Sequence, residues 1–171
     1  MGMRYGTGGY VISDKGILML RKPERKEDPN SGFCPIPGGK LEPSEKGLKN
    51  IDGRVKSVIR EVKNETGIIM INPLFVGTIL FDNKDRTIPN WPNPDNFLVY
   101  YFKSINYSGE LKESDEGVPF WAQSWEEINS LPKNKGDIKI YEWLRDGRNF
   151  VGVIKHQGNE MDEEGSWVDF Y

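Results

Sequence analysis

The stretch from Gly38 to Ile68 constrains this 171-residue chain more than any other. It opens with Gly38-Gly39-Lys40-Leu41-Glu42-Pro43-Ser44-Glu45 and closes with Arg60-Glu61-Val62-Lys63-Asn64-Glu65-Thr66-Gly67-Ile68. In the closing half Val55, Val58, Ile59 and Val62 recur at three- and four-residue spacing, the apolar stripe of one helix. Gly67 falls where a left-handed C-cap would stop it. Glu61, Asn64 and Glu65 stand at i, i+3 and i+4, so they share a face with Cβ atoms about 5–6 Å apart. Carboxylates held that close repel unless a cation lies between them. Oxygen ligands suit Mg²⁺ or Mn²⁺, hard cations that also bridge to phosphate. The alternative is a solvated acidic face, the ordinary condition of charged residues on a helix surface.

The same stretch resembles the Nudix box, G-x5-E-x7-R-E-U-x-E-E-x-G-U, where U is a bulky apolar residue. Gly39 matches the first Gly, Glu45 the first Glu, Arg60-Glu61 the R-E pair, and Glu65, Gly67 and Ile68 the end. Pro37-Gly38-Gly39-Lys40 looks like the family's approach to the box. Two positions depart from it. Fourteen residues separate Glu45 from Arg60 where the pattern has seven, and Asn64 replaces the first Glu of the E-E pair. The extra segment, near Leu48 to Gly53, carries an Asp52-Gly53 turn signal and is expected to bulge out before the helix starts.

Length and composition set the outer limits. The chain is expected to be one domain over residues 1–171, large enough to bury a core. A net charge of −3 gives no basic excess for a nucleic-acid groove. Cys34 is the only cysteine, which excludes an internal disulfide or a cysteine-cluster zinc site and fits a buried apolar position. The longest uncharged runs are too short for a membrane span. No signal-peptide pattern opens the chain, so a cytoplasmic protein is expected. No segment announces a dimer surface, and the expectation is a monomer or homodimer.

In chain order, Arg4 to Ser13 and Gly16 to Arg21 read as strands joined by an Asp14-Lys15-Gly16 turn. Lys22 to Gly32 reads as a loop. Pro73 to Asp82 is a strand, and a Pro-rich loop around Pro89, Trp91, Pro92 and Pro94 follows. Phe97 to Phe102 is the clearest β run. Glu110 to Gly117 leads to a short strand from Pro119 to Ala122. Ser124 and Glu127 form a capping-box signal, and Asp137 to Arg145 is a helix stopped by Gly147. Phe150 to Ile154 and Trp167 to Tyr171 close the chain. The fold class is α+β. The resemblance makes it a Nudix fold, an α/β/α sandwich around a mixed β-sheet.

The resemblance also implies chemistry. It makes the chain a Mg²⁺- or Mn²⁺-dependent hydrolase of a nucleoside diphosphate linked to another group. Glu61 and Glu65 become metal ligands, with the backbone carbonyl of Gly38, and Arg60 with Glu45 becomes a structural ion pair. Lys40 and Arg21 are candidates for phosphate oxygens, or else solvent-facing charges. Asp115-Glu116-Gly117-Val118-Pro119-Phe120-Trp121 looks like the D-E-x-x-P-x-W stretch of the 8-oxo-dGTP diphosphatase (MutT-like) branch. Glu116 is therefore a further metal ligand or general base, the alternative being an acidic surface turn.

Gly136-Asp137, Tyr141-Glu142-Trp143-Leu144, Phe150 and the closing Trp167-Val168-Asp169-Phe170-Tyr171 resemble that branch too. The implied reaction is hydrolysis of an oxidised purine nucleoside triphosphate such as 8-oxo-dGTP to the monophosphate and pyrophosphate. Asp137 is the base-recognition candidate, with an N-cap as its alternative. Phe81, Trp91 or Trp121 could stack on the base or serve as core. Cys34-Pro35-Ile36-Pro37 is a generic approach to the box and leaves the base open. A nucleoside diphosphate sugar such as ADP-ribose is the other substrate class, and a nucleotide-sensing module without turnover is the non-enzymatic alternative. His156 has no second His to pair with for zinc and reads as structural or exposed.

Overall fold

A computed structural model describes residues 2–25, 30–46, 51–87 and 95–171. Ten strands and three α-helices follow in the order β1 (Met3–Ser13), β2 (Gly16–Arg21), β3 (Gly38–Lys40), α1 (Ile51–Thr66), β4 (Ile69–Ile71), β5 (Leu74–Arg86), β6 (Asn96–Ser104), β7 (Asn106–Ser108), β8 (Val118–Ala122), α2 (Trp125–Ser130), α3 (Lys135–Asp146), β9 (Phe150–Gly158) and β10 (Glu160–Phe170). The main sheet runs β10-β9-β5-β6-β1-β2-β8, with β3 paired to β1, and β4 and β7 form a separate two-stranded ribbon. It is a mixed sheet. β1 lies parallel to β6 and β5 parallel to β9, while the remaining pairs are antiparallel.

Period-two alternation explains why both faces are buried. On β1, β2 and β6, Val11, Leu18, Tyr100 and Phe102 face one way, toward Val58 and Val62 of α1. Tyr10, Met19 and Tyr101 face the other way, toward Ile128 of α2 and Ile140, Tyr141 and Leu144 of α3. Helices therefore cover both faces, and the expected α/β/α sandwich is the observed one. The central strands read as continuous apolar runs for this reason, Leu18 to Leu20 being at most 1 % exposed.

The helix ends follow local chemistry. Gly67 has φ of +79° and its N–H donates to the Lys63 carbonyl at 2.9 Å, closing α1 as expected. Gly147 closes α3 at φ of +72°. Ser124 caps α2, its Oγ accepting from Glu127 N–H at 3.1 Å, while Glu127 Oε2 accepts from Gln123 N–H rather than from Ser124 itself. One expectation fails at the start of α1. Asp52-Gly53 is not a turn, since the helix begins at Ile51 and already contains both residues. Gly53 is buried within the first turn of the helix, so the turn signal yields to the helix. The start of the extra segment, 48–50, lies outside the described residues, as do Pro89, Trp91, Pro92 and Pro94. Among the described residues no helix is long and apolar enough to cross a membrane.

Candidate active site

The site begins with two glycines. β3 lies antiparallel on β1, pairing Thr7 with Gly39 and Gly8 with Gly38. The approach is one only glycine permits. A Cβ on Gly38 would stand 2.2 Å from the Thr7 carbonyl oxygen, and one on Gly39 would stand 2.3 Å from Oε2 of Glu61. The Gly38-Gly39 strand thus seats directly on the acidic face of α1. Gly38 N–H donates to Glu65 Oε2 at 2.8 Å, so the Gly38–Glu65 contact runs through the amide.

Glu65 is buried, 5 % exposed. Its carboxyl pKa is pushed up to about 7, first by burial and further by the Glu61 and Glu116 charges, against the opposing pull of Lys22 and the Gly38 amide. Glu116, on the connection before β8, meets Lys22 Nζ at 2.9 Å, and that hydrogen bond holds its pKa below the usual carboxylate range. The same ammonium stands 3.5 Å from Glu65 Oε1. Sequence reasoning missed Lys22. Alternation along β2 was the available signal, because Lys22 shares parity with Leu18, which packs on the α1 side. Arg21 has the opposite parity. It is exposed, lies 5.5 Å over the Phe120 ring, and is not brought to the cleft as a phosphate-binding residue.

Arg60 and Glu45 form the expected ion pair, Nε to Oε1 at 3.1 Å and Nη2 to Oε2 at 2.7 Å. The bidentate contact depresses the Glu45 pKa and raises that of Arg60. Arg60 Nη1 also reaches Glu61 Oε1 at 2.5 Å, and Nη2 reaches the Lys40 carbonyl at 3.3 Å. One guanidinium ties the box loop, β3 and α1 together. Asn64 is exposed and lines the cleft with Glu61 and Glu65, as does Lys40 of β3.

Among the described residues no three His, Cys, Asp or Glu side chains already close on one point as a metal cage. The reason is visible in the contacts, since Lys22 bridges Glu65 and Glu116 while Arg60 holds Glu61. The donor set nonetheless fits a hard cation. The Glu61 and Glu116 charges act on the buried Glu65 carboxyl, and the Lys22 ammonium already bridges Glu65 and Glu116, an oxygen-rich set that suits a hard cation.

From these carboxylates a cleft of about 1830 Å³ runs to the N-terminal end of α3. Its far wall includes Phe81, Arg86, Asn134, Asp137, Tyr141 and His156. Asp137 is not the N-cap. Asn134 holds that position, and Asp137 lies in the first turn with its N–H on the Asn134 carbonyl at 3.1 Å. Its carboxyl lines the cleft, receiving Asn134 Nδ2 at 3.3 Å. Burial pushes its pKa up against the pull of Asn134, Arg86 and Lys133. Phe81 lines the cleft and stacks on His156 with centroids 6.3 Å apart and planes 17° from parallel. Trp121 does not reach the cleft but packs against Tyr107, 5.1 Å away, in the α1-side core. Trp91 lies outside the described residues. His156 is a buried wall residue, 6 % exposed, rather than a surface one.

A mixed sheet between helices, with a Gly-Gly strand seated on an acidic helix, defines a Nudix fold. The NUDIX domain model matches residues 2–144, and the chain belongs to the Nudix family of hydrolases, of the MutT type. It is 31 % identical over 148 residues to the uncharacterized Nudix hydrolase YvcI of Bacillus subtilis (strain 168), covering 85 % of this chain and 81 % of that one. It is 28 % identical over 105 residues to the oxidized purine nucleoside triphosphate hydrolase of Danio rerio, covering 60 % of each. The MutT protein of Bacillus halodurans superposes with a TM-score of 0.73 at 25 % identity, over 98 % of this chain and 97 % of that one.

Proposed function

We propose that this chain hydrolyses purine nucleoside triphosphates, among them 8-oxo-dGTP, to the nucleoside monophosphate and pyrophosphate. The observation that carries the reading is the layout of one cleft. Carboxylates and lysines gather at one end, and an aromatic-lined end bearing Asp137 faces them. A phosphate chain suits the first, a purine the second. The named activity of the zebrafish relative, on oxidized purine nucleoside triphosphates, supports the same reading.

Glu61, Glu65 and Glu116, with the Gly38 carbonyl, are the residues that would hold Mg²⁺ or Mn²⁺. When bound, such a cation neutralises phosphate charge and activates water for attack on phosphorus. The chain's own residues do the rest. Lys40 and Lys22 offer positive charge to phosphate oxygens, and Arg60 with Glu45 fixes the box loop against the helix. Glu116, more than half exposed, is the carboxylate best placed to take a proton from solvent. Asp137 meets the base, and Phe81 offers it an apolar ring edge.

A second reading, cleavage of a nucleoside diphosphate sugar, is favoured by the cleft's size. About 1830 Å³ exceeds the roughly 300–1,000 Å³ of common small-ligand sites. The NUDIX domain of Shewanella oneidensis NrtR, which shares the fold at 10 % identity and a TM-score of 0.65, is known in complex with ADP ribose. A panel of dGTP, 8-oxo-dGTP, 2-hydroxy-dATP, ADP-ribose and a diadenosine polyphosphate with Mg²⁺ or Mn²⁺, read by phosphorus products, separates the two. Pyrophosphate and an oxidised monophosphate are expected. Turnover of ADP-ribose alone would select the second reading, and binding without turnover would select a sensor.

A further inference from the structure

The base end of the cleft holds a charged pair that does not touch. Arg86 ends β5, Asp137 lies in the first turn of α3, and both line the cleft. Each feels the other electrostatically, yet their side-chain hydrogen bonds go elsewhere, that of Arg86 to Asn83 and that of Asp137 to Asn134. Arg86 is half-buried, its Nη1 makes one long contact with Asn83 Oδ1 at 3.4 Å, and its buried Nε has no partner. His156, 94 % buried beside it, also leaves Nδ1 without a partner. Buried side-chain donors without a partner are rare in folded proteins, and the guanidinium keeps donors that an occupant of the cleft could engage. Both residues line the cleft. The gap between a guanidinium and a carboxylate admits a planar edge that presents an acceptor beside donors.

Resting on the purine triphosphate reading above, we infer that Arg86 is a specificity-determining residue that, opposite Asp137, selects a 2-amino-6-oxopurine. Arg86 donates to O6, and the Asp137 carboxylate accepts from N1–H and the 2-amino group. Adenine places an amino group against the guanidinium and a bare N1 against the carboxylate, so it is rejected twice. Hypoxanthine keeps O6 and N1–H but loses one donor. Oxidation at C8 leaves this edge unchanged, so the pair reads the parent base and not the lesion. A bidentate contact distinguishes bases by about 1–3 kcal/mol, roughly five- to 150-fold.

The test compares kcat/KM for dGTP, dITP and dATP on the wild type, Arg86→Met and Asp137→Asn, with calorimetric binding of GMP, IMP and AMP to the same proteins. The wild type should prefer dGTP over dATP by about tenfold or more, with dITP between. Arg86→Met should reduce that ratio at least about tenfold through loss on dGTP, with the monophosphates following. Asp137→Asn, which replaces a two-acceptor group by one acceptor and one donor, should erase the gap between dGTP and dITP. If Arg86→Met does not fold, Arg86→Lys keeps the charge but loses the planar fork and must show the same direction of loss. A folded Arg86→Met that retains the wild-type ratio overturns the assignment and leaves the triphosphate reading standing. Equal turnover of all three triphosphates by the wild type does the same. No binding or turnover of any purine nucleotide removes both.

Discussion

Glu65→Gln should stabilise the metal-free protein at alkaline pH while removing most of its turnover. The Glu65 carboxyl is pushed from an ordinary 4.5 to about 7 in the fold. A group whose folded pKa is raised adds stability that is complete below its unfolded pKa and is lost as pH rises through the folded one. The ionised form is the one the fold disfavours. Each pKa unit is worth about 1.4 kcal/mol, so ionisation of Glu65 costs the metal-free fold about 3 kcal/mol at pH values above the window. Glutamine has no charge to desolvate, and its oxygen still accepts from the Gly38 amide. Thermal melts in a chelator at about pH 8 should therefore place the variant above the wild type by roughly 6–12 °C. At about pH 5 the gap should largely close. Adding Mg²⁺ at the higher pH should stabilise the wild type far more than the variant. Parallel pH profiles for the two proteins would refute the argument, because they would show that Glu65 pays no burial penalty.

Glu45→Gln breaks the bidentate contact with Arg60 and should cost about 1–3 kcal/mol at neutral pH. Since Arg60 depresses the Glu45 pKa, that stability is present above the ordinary carboxylate range and lost as pH falls, so urea titrations of the two proteins should converge in acid. Gly9→Ala would drive a Cβ to 2.4 Å from Cγ2 of Val62 and should destabilise by about 1–3 kcal/mol. Val62→Ala alone should cost about 2 kcal/mol, and combining the two should cost less than their sum in denaturant melts. Lys22→Met leaves Glu65 and Glu116 without their shared cation. It should lower metal-free stability near pH 8 and tighten Mn²⁺ binding by calorimetry, whereas unchanged affinity would mean that the ammonium does not compete.

The fold was legible wherever one residue type had one physical use. The three- and four-residue spacing of Val55, Val58, Ile59 and Val62 marked α1, and the aromatic run from Phe97 to Phe102 marked β6, because each face had a single neighbour to meet. Glycines at Gly67 and Gly147 stopped helices because both require positive φ. Asp52-Gly53 misled because a turn signal describes what a dipeptide permits, and here Gly53 is buried inside the first turn of α1. Asp137 misled as a cap for a related reason. The helix starts two residues earlier at Lys135, and the cap position falls on Asn134.

The site divides along a different line. Residues bound to the box by short sequence spacing, Gly38, Glu45, Arg60, Glu61 and Glu65, meet because β3 lies against α1 and hydrogen bonds tie the two. Lys22 and Arg86 come from strand ends far away in sequence, and only the pairing of strands puts them on the cleft. The parity of a strand tells which of Arg21 and Lys22 share a face, but it is the packing of α1 over Leu18 that says which face is the acidic one. Arg86 is harder still. Its neighbour Asn83 is held by the Asn96 side chain and the Asp95 carbonyl, and its opposite number Asp137 arrives on a helix more than forty residues later. A chain read in order sees a surface arginine at the end of a strand. Folded, that arginine is half-buried with an unpartnered Nε, and the desolvation that depresses its pKa is a cost the local sequence gives no reason to incur. A binding partner for the guanidinium supplies the reason.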